Sequence, residues 1–242
     1  MTQAAPVKTA KFYPESILAI SSEHIKKLYK EGFDRTASVE SFADFQSGLT
    51  IRQRQWLDFS DNSSRKDIIH TTKVGDDAYR QVLPYVTVRN DSGLLLPYLR
   101  GAAVGEARLA GNASVGFGGH VDLCDVVHHN STIDFMATVR LNIQRELEEE
   151  LLVFVPGSDL PEDADVPVMS AGELRFNGVI NDHSDDVGRL HLGFSFDFVL
   201  KPGYSARSRE EELRTLPWQS GSELSSMPGV KVENWSNLYL AD

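Results

Sequence analysis

Residues 135–154, FMATVRLNIQRELEEELLVF, limit the available folds more than any other part of the chain. At about 100° per residue, Met136, Val139, Ile143, Leu147, Leu151 and Phe154 fall within an arc of roughly 120°, the width of a stripe that buries against a core. A helix over about 133–154 is therefore expected, and it needs a broad apolar surface beneath it. The glutamates set a second constraint. Glu146, Glu148, Glu149 and Glu150 stand within five positions, and like charges three or four apart on a helix repel. Glu148 falls opposite the stripe, Glu146 and Glu149 on one border of it, and Glu150 inside it. A carboxylate at the margin of a core is costly unless something compensates its charge. Ion pairing with Arg140, Arg145 or another basic residue would do so. So would a divalent cation held by oxygen ligands; Mg²⁺ in particular takes few carboxylates together with waters and substrate phosphates. The competing reading is a plain solvated face.

The surface beneath the helix is expected from strands on both sides of it in sequence. QVLPYVTVRNDSGLLLPYLRG alternates around Asn90-Asp91-Ser92-Gly93, a hairpin signal, with Pro84 and Pro97 marking strand ends or edges. ASVGFGGHVD reads as a short strand running into a glycine-rich turn. After a loop at 156–167, ELRFNGVIND and RLHLGFSFDFVL read as two strands around HSDDVG. REEELRTLPWQSGSELSSM reads as a short strand or turn and a helix, and ENWSNLYLAD as a closing helix. Strands and helices in this order predict an α+β fold, a mixed sheet between helices. Residues 1–15 read as an irregular arm. From Glu15 to about Trp56, Ile17, Leu18, Ile25, Leu28 and Tyr29, then Phe42, Phe45, Leu49 and Trp56, recur at near-helical spacing. Ser38 or Ser41 could cap the second of these helices, and DNSSRKD (61–67) reads as a loop. The expected organisation is an N-terminal helical extension over 1–75 and one domain over 76–242.

The turn and the helix together resemble the signature of the Nudix hydrolases, G-x5-E-x7-R-E-U-x-E-E-x-G-U with U aliphatic. Gly119, Arg145, Glu146, Leu147, Glu149, Glu150 and Val153 match it. The offset from Gly119 to Arg145 is 26 positions, against 14 in that pattern. About twelve residues are therefore inserted, and CDVVHHNSTID (124–134) is where the insert falls. Asp125 stands at the nominal place of the pattern's isolated glutamate, with Asp122 and Asp134 as alternatives. Leu152 replaces the glycine near the helix end.

The resemblance, which spans about 78–240, implies an α/β/α sandwich. It also implies a site for Mg²⁺ or Mn²⁺ and cleavage of a diphosphate bond in a nucleoside diphosphate linked to another group. It makes Glu146, Glu149 and Glu150 metal ligands, adds a carbonyl of Gly118 or Gly119, and gives Arg145 the role of orienting the glutamates through charge-assisted hydrogen bonds. A further carboxylate could serve as general base. Glu210, Glu211 and Glu212, then Asp182 and Asp185, are the distant candidates, each readable also as plain loop charge. His120 could touch substrate phosphate or be a structural histidine. Arg100, Arg89 and Arg175 could reach an anion or sit in ion pairs. His128 and His129 read as surface, because zinc would need more ligands at suitable spacing. Cys124 has no activating partner in sequence. Tyr85, Tyr98 and Phe176 could stack on a base, though core is the default reading.

Charge and composition bound the partners. The formal charge of −11 disfavours general nucleic-acid binding, which needs a basic surface, and leaves capped RNA ends open beside small nucleotides. Cys124 is the sole cysteine, and no apolar run is long enough to span a bilayer or to serve as a secretion signal. A cytoplasmic setting without membrane contact is expected. The N-terminal extension could cover the site or build a homodimer. Two rivals to a hydrolase stand: a Nudix-like module that binds a nucleotide or a protein without turnover, and an acidic helical interaction protein with no site.

Overall fold

A computed structural model describes residues 11–37, 45–46, 48–58, 66–69, 78–101, 111–157, 166–184, 186–210 and 213–241, with 11–15, 52–58, 66–69 and 186–187 described as backbone only. In chain order the first strands are β1 (Lys11–Ser21), β2 (Gly32–Asp34), β3 (Leu49–Asp58), β4 (Lys66–Ile69) and β5 (Tyr79–Arg89), with helix α1 (Ser22–Leu28) after β1. There follow β6 (Tyr98–Arg100), β7 (Asn112–Ser114), β8 (Gly116–Phe117), the small strands β9 (His128–His129) and β10 (Thr132–Ile133), and helix α2 (Phe135–Glu150). The remainder comprises β11 (Leu151–Phe154), β12 (Gly172–Asn181), α3 (Asp186–Leu190), β13 (His191–Leu200), β14 (Ser205–Ser208), β15 (Leu213–Thr215), α4 (Gly221–Ser225), β16 (Lys231–Val232) and α5 (Asn234–Leu240).

The main sheet runs β2-β12-β13-β5-β1-β3-β4, with β8 also on β5. It is mixed, because β13 and β5 run parallel while their other partners run antiparallel. A second sheet runs β15-β6-β7-β16. Strand β5 explains how two cores form. Val82, Val86 and Val88 join the core under α2, while Tyr85 joins a second core. A strand covered on both faces carries a run of β-branched and aromatic residues rather than a clean apolar–polar alternation. Val139, Ile143 and Leu147 of α2 are fully buried against the first core, whose centre is a ring cluster: Phe135 lies 4.7 Å from Phe45 and 4.8 Å from Phe194. Ile25 and Tyr29, at and just past α1, join the same side, and Leu224 of α4 and Tyr239 of α5 close the other. The result is the expected α/β/α arrangement. Among the described residues no helix is long and apolar enough to cross a membrane.

The N-terminal expectation is corrected. Residues 11–21 and 49–58 are strands, not an irregular arm and helices, and β1 pairs with β3 over its length and with β5 at Ala19–Ser21. The physical reason is that Ile17, Leu18, Ala19 and Ile20 are all buried. An unbroken apolar run carries no period, so it reads equally as a buried strand or a helix. Helix α1 is present there, and residues 45–46, within the second expected helix, are helical too. Ser38, Ser41 and Phe42 lie outside the described residues, as do 61–65 of the expected loop; Lys66 and Asp67 belong to β4. The hairpin turn at Asn90–Gly93 is present, with Gly93 at φ 79°. The return strand is brief, however: Leu96 N–H bonds Val88 at 2.9 Å, and beyond Pro97 the chain leaves for the second sheet.

The long helix is shorter than expected. It ends at Glu150, and Leu151 turns extended at φ −117°, ψ 139° to start β11, which pairs with β14. The helix therefore needs no left-handed residue to exit, which accounts for Leu152 where the resemblance expects glycine. The insert is a compact device: a 3₁₀ turn at Leu123–Asp125, then the β9–β10 hairpin closed by Asn130 and Ser131, both at positive φ, as a two-residue type I′ turn requires.

Candidate active site

Two segments build the site: the turn after β8 and the last two turns of α2. Gly118 sits at φ 124° with its Cα facing the Pro84 carbonyl, where an added Cβ would lie 2.5 Å away. Only glycine fits both demands. Its N–H donates to Glu150 Oε2 at 2.9 Å. An added Cβ on Gly119 would lie 2.6 Å from Glu146 Oε1. Gly118 is thus required by the backbone, while Gly119 leaves room for the Glu146 carboxylate.

The electrostatics at this junction are unusual. Burial pushes Glu150 up to about 8, with Glu146 and Glu210 adding to the rise and the Gly118 N–H and Arg100 opposing it. Burial pushes Glu146 up to about 7, opposed by Arg145 and reinforced by Glu149 and Asp122. Two mutually repelling carboxylates held in a half-dry place are what a divalent cation relieves. The carboxylate donors are all oxygen, so the residues present fit Mg²⁺ or Mn²⁺. Glu149 would have to turn inward to join it. Its side chain is 58% exposed and lies 3.4 Å from Arg145 Nη1. Among the described residues no three His, Cys, Asp or Glu side chains are already gathered closely enough to hold a metal ion.

Arg145 is anchored from behind. Its Nε donates to Asp125 Oδ1 at 3.0 Å and its Nη2 to Asp125 Oδ2 at 2.9 Å. The same guanidinium reaches Glu146 at 2.8 Å and the His120 carbonyl at 3.3 Å. Asp125 is buried and also accepts from Asn142 Nδ2 and the Asp122 N–H, each at 3.0 Å. Burial alone would raise its pKa; those bonds, led by Arg145, bring it below the usual carboxylate value. Asp125 is therefore the partner that fixes Arg145. Asp134 instead caps α2, accepting from Ala137 N–H at 3.0 Å.

The other expected residues are dispersed. His120 lies beside the turn, its Nε2 3.0 Å from His191 Nε2. Arg100 is not open to an anion in this arrangement: it pairs closely with Glu233 and donates from Nη2 to Tyr98 Oη at 3.2 Å, so it reaches the site only through its field on Glu150. Tyr98 in turn donates to the Gly116 carbonyl at 2.6 Å. Arg89 pairs with Asp197 at 3.4 Å, and Arg175 with Glu173 at 3.1 Å. Tyr85 and Tyr98 are core, and Phe176 packs on Phe196. Asp182 is held by Ser184 N–H and Asn234, away from the glycine turn. Glu210 is the one described candidate base whose charge acts on Glu150; Glu211, Glu212 and Asp185 lie outside the described residues. His128 and His129 are exposed in the hairpin, and Cys124 is exposed. Asn142 was not anticipated, yet a signal existed. Thr138 and Asn142 fall on the Glu146 border of the helical wheel, and both are fully buried.

The fold matches that of Tm1382, a proposed Nudix hydrolase of known crystal structure, with a TM-score of 0.61 at 24% identity, over 94% of this chain and 97% of that one. The chain thus has the Nudix fold. Protein YmaB of Bacillus subtilis (strain 168) is 32% identical over 166 residues, 68% of this chain and 71% of that protein. The chain belongs to the family of protein YmaB. No protein-family model matches it.

Proposed function

We propose that the protein is a metal-dependent hydrolase that cleaves the diphosphate bond of a nucleoside diphosphate linked to another group. The observation that carries this is the pair Glu146 and Glu150, buried against the Gly118–Gly119 turn, with the one guanidinium of Arg145 shared between Glu146 and Asp125. The Nudix fold shared with Tm1382 supports the reading.

Glu146, Glu150 and, after leaving Arg145, Glu149 would hold Mg²⁺ or Mn²⁺ with a carbonyl of the turn. When bound, such an ion neutralises diphosphate charge and lowers the pKa of a coordinated water. The chain's own residues do the remainder. The Gly118 N–H fixes one oxygen of Glu150 and leaves the other available. Asp125 holds Arg145 in place, and Arg145, shared between Asp125, Glu146 and Glu149, orients the glutamates. The attacking water forms its bond to phosphorus as the bridging phosphorus–oxygen bond breaks, and its proton passes to a carboxylate. Glu210 is our choice for that base, because it is the exposed acid whose charge reaches Glu150. His120, at the end of the turn and beside His191, would meet a phosphate oxygen in this reading.

Release of phosphate or nucleotide from a panel of nucleoside diphosphate derivatives, with Mg²⁺, Mn²⁺ or chelator, tests the proposal, with Glu149→Gln alongside. Metal-dependent turnover lost in that variant supports it. A second reading, a Nudix-fold module that binds without turnover, draws on Glu149 resting against Arg145. No turnover with a ligand-induced rise in melting temperature would favour it.

A further inference from the structure

A second, largely buried ion pair stands behind the carboxylate site. Arg100 of β6 pairs closely with Glu233, and the two side chains are 23% and 11% exposed. Withdrawing two charges from water is unfavourable, and their mutual attraction offsets this only in part, so a buried pair adds little to stability as such. Glu233 stands at the N-cap of α5, yet its carboxylate does not cap that helix. It is directed to Arg100 instead. The second sheet brings the two together. Strand β16, which ends at Val232, pairs with β7, and β7 pairs with β6. The Glu233 N–H, bonded to the Ala113 carbonyl at 2.9 Å, fixes the acid there.

The pair leads to Glu150. Arg100 Nε faces Glu233, while Nη2 donates to Tyr98 Oη at 3.2 Å. That buried hydroxyl donates to the Gly116 carbonyl at 2.6 Å. Gly116 stands two residues before Gly118, whose N–H holds Glu150 Oε2 at 2.9 Å. One tyrosine hydroxyl thus separates Arg100 from the backbone that enters the glycine turn. Arg100 is also the cation whose field acts most on Glu150, and Glu150 acts on Arg100 in return. A guanidinium so close to a buried carboxylate is a ready substitute for a metal ion. Turned onto Glu150, it would compensate that charge permanently, and a cation would have to displace it. Here the fork points elsewhere. Because the guanidinium is planar and rigid, it cannot turn onto Glu150 without giving up its bonds to Glu233 and Tyr98.

We infer that Glu233 is a positioning residue for the metal site: by holding Arg100, it keeps that guanidinium off Glu150 and leaves Glu150 available to ligate a divalent cation. The inference rests on the metal-dependent hydrolase reading above. Glu233 acts through Arg100 alone. The first turn of the C-terminal helix thereby takes part in the chemistry of a site built from the glycine turn and the end of α2. Arg145 stands in the same relation to Asp125, which draws part of its guanidinium away from Glu146. Each of the two arginines beside the carboxylates has an acid of its own behind it.

The test reads metal affinity, so that it does not depend on turnover. Mn²⁺ is titrated calorimetrically into the chelator-stripped full chain, wild type beside Glu233→Gln, Glu233→Asp and Arg100→Met/Glu233→Gln, with near-UV circular dichroism to show that each is folded. Glu233→Gln releases the guanidinium and should lose on the order of tenfold in affinity. Glu233→Asp keeps the charge and should lose less. Arg100→Met/Glu233→Gln removes the competitor as well and should return to within about threefold of wild type. A purely structural role for Glu233 would give no such recovery. Unchanged affinity in Glu233→Gln would overturn the inference, and so would a double variant that binds as weakly as Glu233→Gln. If Glu233→Gln does not fold, Glu233→Asp carries the comparison, and wild-type affinity there would overturn the inference. Wild type that binds no Mn²⁺ would overturn it together with the metal site. Failure of the hydrolase reading alone would appear as the expected order of affinities without turnover of any diphosphate.

Discussion

Asp125→Asn keeps the shape of a buried side chain and removes the charge that anchors Arg145. Four donors converge on the wild-type carboxylate: Arg145 Nε at 3.0 Å, Arg145 Nη2 at 2.9 Å, Asn142 Nδ2 at 3.0 Å and the Asp122 N–H at 3.0 Å. The Asp125 side chain is 4% exposed and that of Arg145 27%. Breaking a fully buried pair costs about 3–5 kcal/mol. Arg145 keeps some water and retains Glu146 and Glu149 as partners, which places the expected loss near 3 kcal/mol. For a chain of this size that is a fall in melting temperature of roughly 6–12 °C, read by scanning calorimetry at pH 7 in chelator. Glu173→Gln, which opens an exposed pair with both side chains 65% exposed, is the control and should change stability by less than about 0.5 kcal/mol. The sign with pH follows from the lowered pKa of Asp125. Its contribution is full above the ordinary aspartate value and is lost as pH falls through the lower folded value. The deficit of the variant should therefore shrink below about pH 4. A variant melting within about 2 °C of wild type at pH 7 would refute the anchoring role.

Gly119→Ala places a methyl 2.6 Å from Glu146 Oε1. Because that atom ends a flexible side chain, stability should change by no more than about 1 kcal/mol, while Mn²⁺ affinity falls at least about tenfold, measured by calorimetric titration. Glu150→Gln has the opposite signature in chelator. Glu150 is raised to about 8, so its folded state favours the neutral form, and the associated stability is lost as pH rises through that value. The variant should match wild type most nearly near pH 5 and exceed it by about 4 kcal/mol near pH 9, seen in urea unfolding at the two pH values.

Parts of this structure were legible in the sequence and others were not, for physical reasons. Helix α2 was legible because Val139, Ile143 and Leu147 repeat with the helical period and are all buried. The glycine turn was legible because Gly118 and Gly119 answer to steric demands that the residue type itself announces. Strand β1 was misread because Ile17–Ile20 is buried on both faces and has no period. The pairing of Asp125 with Arg145 spans 20 positions across an insert, and nothing local in CDVVHHNSTID reports which acid turns inward. Asn142 and Thr138 were within reach, as polar residues on the border that carries Glu146. The contact of His120 with His191 spans 71 positions. It depends on β5–β13 register, which no short pattern encodes.

The central claim is that a divalent cation supplies the positive charge that Arg145, shared between Glu146 and Asp125, leaves unmet at Glu146 and Glu150. Calorimetric titration of Mn²⁺ into chelator-stripped protein near pH 7, in two buffers of different ionisation enthalpy, tests it most directly, with Glu146→Gln/Glu150→Gln as comparison. The account predicts saturable binding with proton release in the wild type, because carboxyls raised to about 7 and about 8 must ionise to ligate, and loss of both in the double variant. Equal binding by the two proteins, or wild-type binding without proton release, would contradict it.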